Sequence, residues 1–300
     1  MTAKTIDGLK VSIAVRADCR ARAAEFKTLS GRAPALAVVI VGEDAASAIY
    51  VGRKVKACED VGILSFRHSF PCDVAEHDVV ACILRLAADA AVDGILVQLP
   101  LPPQLSIEHV LSTIPIEKDV DGFHLYNLGG LVVGNTVFPP CTPYGVMKLL
   151  ESEDIELDGM NAVVVGASNI VGKPMALMLM QKNATVSICH ARTRDLAQYT
   201  ILADVLVVAA GRPGLITGAM VKKGAVVIDV GINRLQDNRI VGDCDFASVC
   251  ERASYITRVP GGVGPMTVTM LLVNTIDAAF KSACTPPSSL ELSSSGCPDL

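Results

Sequence analysis

A tyrosine and a lysine stand four residues apart in a segment with the pattern of a helix. Tyr50 and Lys54 therefore emerge on the same face of that predicted helix, one turn apart. An aromatic ring in this place can stack on a planar substrate while the amine of Lys54 acts beside it. The same spacing also occurs in ordinary surface pairs, so neighbouring residues must decide between these two interpretations.

A glutamine follows the short apolar run 95–97. Gln98 is thus expected at the carboxyl end of a strand, where open parallel sheets bind their ligands. Its neutral amide can accept a hydrogen bond from the amine of Lys54 and hold that amine in place.

Two aspartates lie in the segment 118–123, which is predicted to be a loop. Asp121 offers an acceptor suited to the donor edge of a planar substrate, and the alternative is an Asx turn before Gly122. Asp119 is the nearer candidate for pairing with Lys118 or for capping the loop.

The segment 166–172 reads Gly-Ala-Ser-Asn-Ile-Val-Gly between an apolar run and a helical pattern. Backbone N–H groups and a helix N-terminus in this context can hold a pyrophosphate. The spacing departs from GxGxxG, since a serine replaces the second glycine and the last glycine comes one residue late. A tight strand-to-helix turn without a ligand is the alternative. The candidate contacts are Gly166, Ala167, Ser168, Ile170 and Val171.

The residues after the next predicted strand indicate which dinucleotide fits. No acidic residue follows Cys189 to bind the ribose 2′-hydroxyl of NAD; instead His190, Arg192 and Arg194 follow. This basic segment suits the 2′-phosphate of NADP, although it can also be a solvated loop. Small residues after two later strands permit close approach of a nucleotide, or are simple turn residues. The candidates there are Ala210, Gly211, Gly231 and Ile232.

Strand-like apolar runs alternate with helical patterns along the 300 residues, which predicts an α/β fold with parallel sheets. This length exceeds the usual size of one core, so we expect two domains. We predict an α/β catalytic domain over residues 1–144 and 268–284, and a Rossmann-like dinucleotide domain over 145–267. Strands are predicted at 36–41, 95–97, 162–165, 185–189, 205–209 and 226–230, helices at 47–61, 145–150 and 171–181, and loop at 119–143.

Composition restricts the class of ligand. The net charge is -5, so there is no basic surplus for nucleic acid or an anionic membrane, and a small-molecule substrate is favoured. The ten cysteines show no CxxC pair and no metal-site spacing, which predicts reduced thiols in a cytosolic protein without a metal. No apolar run approaches the roughly 20 residues of a membrane span. Arginines near the N-terminus are interspersed with acids, which favours an amphipathic helix over a transit peptide.

Seven motifs resemble the signatures of the FolD family of bifunctional methylenetetrahydrofolate dehydrogenase/cyclohydrolases, and they follow one another along the chain in the same order as in that family. The resemblance extends from about Ile6 to Phe280. Several independent motifs in register are more specific than any one of them. They lie at residues 50–56, 62–63, 94–102, 118–122, 140–143, 166–174 and 259–267.

The resemblance implies a cleft between two α/β domains, with NADP held by the second domain and folate at Tyr50, Lys54, Gln98 and Asp121. It also implies a homodimer formed through the cofactor domains and a cytoplasmic role in one-carbon metabolism, which supplies purine biosynthesis. The segment with Pro260, Gly261 and Gly262 is expected to form a flexible wall where the two ligands meet, because small residues permit close approach.

Two residues depart from the pattern of some relatives. Ala167 stands where those relatives carry a basic residue, and Ala191 stands where they carry Ser or Arg. The contact with the 2′-phosphate is therefore expected to shift to Arg192.

The family's chemistry assigns roles to three residues. Hydride passes from the methylene bridge of the folate to the nicotinamide, which needs orientation more than a protein acid. Water then adds to the cationic methenyl carbon, and Lys54 can activate that water or shuttle its proton. Gln98 positions Lys54, and Tyr50 stacks beside it.

Three alternatives stay open at this point. One is another Rossmann dehydrogenase with an N-terminal substrate domain, of the shikimate dehydrogenase kind. Another is a folate- or nucleotide-binding module that has lost catalysis. A third is a dehydrogenase without the hydrolase activity.

The last sixteen residues, 285–300, are rich in serine and proline and have little to bury, which predicts a disordered tail. We expect that deleting Thr285 to Leu300 leaves both activities and the thermal unfolding midpoint nearly unchanged. Enzyme assays and thermal denaturation of the truncated protein check this, and a large loss of either property would show that the tail packs on the protein.

Overall fold

The computed structural model of the protein describes residues 2–42 and 45–284, and for residues 45–50 it describes the backbone alone. The predicted tail, 285–300, lies outside the described residues.

Two parallel sheets, with helices between and around them, form the protein, and a two-stranded ribbon accompanies them. The strands are β1 (Lys4–Ile6), β2 (Ala35–Val41), β3 (Leu64–Phe70), β4 (Gly94–Val97), β5 (Asn161–Val165), β6 (Thr185–Cys189), β7 (Val205–Val208), β8 (Val226–Asp229), β9 (Asn233–Arg234), β10 (Ile240–Val241) and β11 (Tyr255–Thr257). The helices are α1 (Gly8–Ser30), α2 (Ala45–Val61), α3 (Glu76–Ala88), α4 (Ile107–Ser112), α5 (Leu125–Val133), α6 (Cys141–Glu151), α7 (Gly172–Met180), α8 (Leu196–Thr200), α9 (Phe246–Cys250) and α10 (Val263–Cys284).

The smaller sheet has the order β3-β2-β4, with both pairs parallel. Every residue of the central strand β2 is buried, as expected for a parallel strand covered on both faces. The predicted strands 36–41 and 95–97 are confirmed, each with one additional residue at its start.

The larger sheet has the order β1-β11-β8-β7-β5-β6 and is parallel throughout. After β5 the chain crosses to β6 on one side and then returns to β7 on the other. The carboxyl ends of β5 and β7 therefore form the switch point at which doubly wound sheets bind nucleotides. The four strands predicted in this half are confirmed, with ends that agree within one residue.

Two elements cross the limits that the sequence suggested for the domains. Strand β1 pairs with β11, Lys4 opposite Tyr255, so residues 4–6 belong to the larger sheet although they were predicted within the catalytic domain. Helix α6 spans residue 145, so the predicted boundary falls inside a helix rather than between elements.

The prediction of loop over 119–143 was wrong, because α5 and the start of α6 lie there. Glycines and prolines suggested irregular structure, but tertiary hydrogen bonds stabilise the helix. Buried Asp119 accepts hydrogen bonds from the N–H groups of Phe123 and His124 and from the side-chain amide of Asn127. Asn127 in turn accepts from Val137 N and Phe138 N, so the segment folds back on itself.

Helix α10 joins the two halves. It packs along α6 and α1 and also contacts α2, β2 and β4, which confirms the predicted return of the last helix to the first half. By length and composition alone α10 could cross a membrane, yet 72% of its apolar window is buried inside the protein. This burial is typical of a core helix, and the contacts of α10 join α1 and α2 to α6.

Candidate active site

The amine of Lys54 is held in a buried position between α2 and β4. Lys54 is 8% exposed, and its Nζ donates a hydrogen bond to Gln98 Oε1 at 3.0 Å. The amide of Gln98 is itself fixed, since Nε2 donates to Leu99 O at 2.6 Å and its backbone N–H donates to Val39 O at 2.9 Å. The hydrogen bond expected between these two side chains is therefore present. Nζ carries further hydrogens that can point at a ligand.

Asp121 lies next to this pair. Desolvation raises the pKa of its half-buried carboxyl above the ordinary range, while the nearby Lys54 amine and the Cys141 thiol act to lower it. No hydrogen bond from the described residues joins its carboxylate to the following backbone N–H groups, so the alternative of an Asx turn does not describe this loop. Asp119 caps the loop instead, as one of its expected roles, and burial raises its pKa to about 6. The pairing of Asp119 with Lys118 was wrong, because Lys118 Nζ donates to the carbonyl groups of residues 86 and 89.

The side chain of Tyr50 lies outside the described residues. Its backbone is part of α2, one turn before Lys54, as the sequence suggested. Its stacking role therefore stays a prediction.

The segment after β11 connects the larger sheet to α10 and lies against the start of α1. Leu9 N donates to Gly261 O at 3.1 Å, and Arg258 faces Asp7 at 3.6 Å. A cavity of about 340 Å³ lies beside this segment. Predicted substrate contacts and predicted cofactor contacts line it together, namely Pro260, Gly261 and Gly262 with Gly231 and Ile232.

The dinucleotide loop between β5 and α7 is tightly packed against its neighbours. A side chain at Gly166 would place its Cβ 2.2 Å from Ala209 O, and one at Gly172 would lie 2.0 Å from Gly166 O. Ser168 Oγ accepts from Val171 N at 3.1 Å and from Gly172 N at 3.4 Å, so the serine caps the start of α7. Both positions therefore require glycine, because the backbone of the protein itself passes too close for a side chain.

The basic segment after β6 forms a turn at the same edge of the sheet, because β6 pairs with β5. His190 N donates to Thr193 Oγ1 at 2.9 Å, and Arg192 N donates to His190 Nδ1 at 3.2 Å. The side chains of Arg192 and Arg194 are exposed, and they make no hydrogen bond or ion pair within the part of the chain that the structure describes. Their contact with a 2′-phosphate therefore stays a prediction.

Asp243 is a site residue that the sequence interpretation missed. It is fully buried, and its Oδ2 accepts from Ala210 N at 2.7 Å and from Gly211 N at 2.9 Å. Its Oδ1 accepts from Arg212 N and from Asn233 Nδ2, both at 2.8 Å. One carboxylate therefore joins the segment after β7 to the segment after β8, which together hold four predicted cofactor contacts.

A second buried carboxylate supports the first. Asp229, the last residue of β8, accepts from Gly231 N at 3.0 Å and from Asp243 N and Cys244 N, both at 2.9 Å. Burial raises the pKa of Asp229, and these N–H groups act against that shift. A Cβ at Gly231 would lie 2.3 Å from the carboxylate of Asp243, so only glycine fits there. The sequence signal for Asp229 is its position as an acidic residue at the end of an apolar strand, two positions before Gly231.

These features define a class of protein: a two-domain α/β enzyme in which a nucleotide-binding sheet lies beside a buried lysine. Models of one protein family match both halves of the chain. The catalytic domain of tetrahydrofolate dehydrogenase/cyclohydrolase matches residues 6–121, and its NAD(P)-binding domain matches residues 140–283. The chain belongs to the tetrahydrofolate dehydrogenase/cyclohydrolase family.

Individual relatives are similar to this chain over nearly its whole length. The bifunctional protein FolD of Nitrosospira multiformis is 59% identical over 279 residues, which cover 93% of this chain and 96% of the relative. The crystal structure of the bifunctional enzyme FolD from Campylobacter jejuni has a TM-score of 0.91 at 48% identity, covering 93% of this chain and 99% of that one. The FolD structure from Trypanosoma brucei, complexed with NADP cofactor and inhibitor, has a TM-score of 0.92 at 38% identity, covering 95% and 100%.

Shikimate 5-dehydrogenase from Thermus thermophilus is a more distant likeness. It has a TM-score of 0.51 at 15% identity, covering 82% of this chain and 99% of that one. At this identity it shares the fold alone, so the comparison gives no support to a shikimate-type activity.

We expect Asp243→Asn to raise the KM for NADP about tenfold or more, because an amide must turn an NH₂ group toward N–H donors and loses charge-assisted hydrogen bonds of about 1.5–3 kcal/mol. Hydrolysis of methenyltetrahydrofolate, which uses no dinucleotide, should change much less. Steady-state kinetics of both reactions measure this split. Asp245→Asn, at an exposed carboxylate two residues away, is the matched control. Equal losses in both reactions would mean that Asp243 serves folding alone.

Proposed function

We propose that this protein oxidises 5,10-methylenetetrahydrofolate to 5,10-methenyltetrahydrofolate with NADP and then hydrolyses that product to 10-formyltetrahydrofolate. The observation that carries the proposal is the buried contact of Lys54 with Gln98, with Asp121 beside it, in a chain whose other half matches an NAD(P)-binding domain. Membership of the family supports both reactions.

For the oxidation, the protein supplies binding and orientation. When bound, NADP supplies the acceptor for the hydride of the methylene group. We assign the pterin donors to Asp121, whose acceptor oxygens suit them, and the stacking of the aromatic part of the folate to Tyr50. Gly166, Ala167, Ser168, Ile170 and Val171 are assigned to the pyrophosphate side, and Ala210, Gly211, Gly231 and Ile232 to the nicotinamide side.

For the hydrolysis, a group must take a proton from the water that adds to the methenyl carbon. We assign this step to Lys54, whose amine activates that water or shuttles its proton. Gln98 Oε1 accepts a hydrogen bond from the amine in either protonation state, so it keeps Nζ in one place while the proton is transferred. The amine thus serves the second reaction directly and the first through orientation of the folate.

We further propose that two copies associate through their cofactor domains in the cytoplasm and that the product enters one-carbon metabolism, including purine biosynthesis. Strand β6 is the edge of the larger sheet, and large apolar side chains on and after it are exposed. Leu202 is 62% exposed, Tyr199 46% and Ile188 43%. Exposed apolar side chains beside a sheet edge are typical of an interface. Light scattering during size-exclusion chromatography measures the mass in solution, and a monomer would contradict this part of the proposal.

The direct test uses the purified protein with methylenetetrahydrofolate and NADP. NADPH formation that depends on the folate establishes the dehydrogenase. Decay of added methenyltetrahydrofolate, above its rate without enzyme, establishes the hydrolase. NADPH formation with no accelerated decay would leave a dehydrogenase alone, and absence of both reactions would leave a binding protein.

We expect Lys54→Met to reduce methenyl hydrolysis by roughly 10²–10⁴-fold, as is typical when a general acid–base group is removed. The dehydrogenase rate should fall less, because methionine keeps the apolar stem and hydride transfer needs no titratable group. Following NADPH and methenyl absorbance together measures both rates. Lys182→Met, at an exposed lysine in the turn after α7, is the control. If methenyl product does not accumulate because hydrolysis persists near the parent rate, the role assigned to Lys54 is wrong.

We expect Arg192→Ala to raise the KM for NADP while the KM for NAD stays nearly constant, since only NADP carries the 2′-phosphate. A charge-assisted contact of this kind contributes about 1.5–3 kcal/mol. Kinetics with each dinucleotide make NAD the internal control. Equal losses with both would indicate a role in folding, and no change would place the arginine in solvent.

A further inference from the structure

Thr257, the last residue of β11, has a buried hydroxyl that the assigned site residues do not explain. The residue is 1% exposed. Its Oγ1 accepts a hydrogen bond from Asp229 N at 2.7 Å and donates one to Asp229 O at 3.4 Å. Strands β8 and β11 pair in parallel as far as Val227 and Ile256. The hydroxyl therefore joins the two strands at their carboxyl ends, beyond their backbone pairing.

The strand end that contacts this hydroxyl leads directly into the segment assigned to the nicotinamide side. Asp229 is the last residue of β8, and its carboxylate accepts a hydrogen bond from Gly231 N at 3.0 Å. A hydroxyl that fixes the backbone of Asp229 thus also fixes the place of Gly231 and of Ile232 after it. We therefore expect a shift of the Asp229 backbone to displace both assigned residues.

The same threonine lies against the segment assigned to the folate. Residues 258–262 follow it directly and fold back over it, since a Cβ at Gly262 would lie 3.0 Å from Thr257 Cβ. On its other side this segment meets α1, where Leu9 N donates to Gly261 O at 3.1 Å. Thr257 and α1 therefore hold the folate segment from two sides.

The separation of these two segments matters for one of the two proposed reactions. Hydride transfer requires the methylene carbon of the folate and the nicotinamide ring to approach to about 3–3.5 Å, and a displacement of about 1 Å can reduce such a rate about 10²-fold. Hydrolysis of the methenyl product is assigned to Lys54, on α2, and uses no dinucleotide. A group that sets the distance between the two segments should therefore affect dehydrogenation and spare hydrolysis.

We propose that Thr257 is a positioning residue for hydride transfer: its hydroxyl links the two segments and sets the distance between the folate and the nicotinamide. This inference rests on the proposed function. The hydroxyl both donates and accepts within one contact, which an apolar side chain cannot reproduce. Thr257 acts through the segments on either side of it, by geometry and not by acid–base chemistry.

The test compares Thr257→Val with Thr257→Ser in both assays. Valine has a methyl group in place of the hydroxyl, so we expect the kcat of the dehydrogenase to fall about tenfold or more, while the KM values and the rate of methenyl hydrolysis change less than about twofold. Serine keeps the hydroxyl and should restore most of the rate. A substrate deuterated at the methylene bridge identifies the affected step. Its isotope effect on kcat should be at least as large with Thr257→Val as with the parent, because hydride transfer is the step that slows.

A matched variant and a folding check make the test specific. Thr185→Val, at an exposed threonine at the start of β6, should change neither reaction. Thermal unfolding of each variant is measured first. If Thr257→Val does not fold, Thr257→Cys, whose thiol forms weaker hydrogen bonds, takes its place with the same expected direction.

Four results would each overturn the proposal. They are an unchanged dehydrogenase, an equal loss in both reactions, an isotope effect smaller than that of the parent, and a serine variant as slow as the valine variant. NADPH formation and methenyl decay with the parent protein report on the proposed function separately, so a failure of either claim can be recognised.

Discussion

A buried lysine amine needs a hydrogen-bond acceptor, and in this fold the smaller sheet provides it for Lys54. Lys54 comes from α2 and Gln98 from the end of β4, and the backbone of β2 fixes Gln98 through Val39. An uncompensated amine in this position would cost several kcal/mol, so the helix and the strand must keep their relative position for the pair to persist. This hydrogen bond thus adds a directional contact to the apolar packing of α2 on the smaller sheet.

Helix α10 holds the segment that carries Asp121 by hydrogen bonds. The side-chain amide of Asn274, buried on α10, donates to Val120 O at 2.8 Å and to Pro139 O at 3.1 Å. These bonds hold both ends of the loop that carries Asp121. In the other half, the carboxylates of Asp229 and Asp243 each accept hydrogen bonds from backbone N–H groups of separate segments at the end of the sheet. Buried polar groups on both sides therefore define the shape of the cleft.

The sequence was most informative where a pattern is local. Apolar runs such as 36–41 and 162–165 predicted parallel strands. The place of Gln98 directly after the run 95–97, with Lys54 on a predicted helix, suggested the hydrogen bond between their side chains. Asp243 could not be found in this way, because its partners lie about thirty residues earlier in the chain and only folding brings them together. Strand β1 was missed because three residues carry little periodicity and pair only with a distant edge strand. Helix α5 was missed because its glycines have low helix propensity, which the tertiary hydrogen bonds of Asp119 and Asn127 outweigh.

We propose that one amine, fixed by Gln98, lies at the carbon that both reactions change. A crystal structure with NADP and an unreactive folate analogue measures this most directly. We expect Lys54 Nζ to lie within hydrogen-bond reach of the bridging position of the analogue, directly or through one water, at about 2.6–3.2 Å for each step. We also expect Asp121 to accept from the pterin. An analogue bound away from Lys54, or an amine turned from the bridging position with no water between them, would contradict the account.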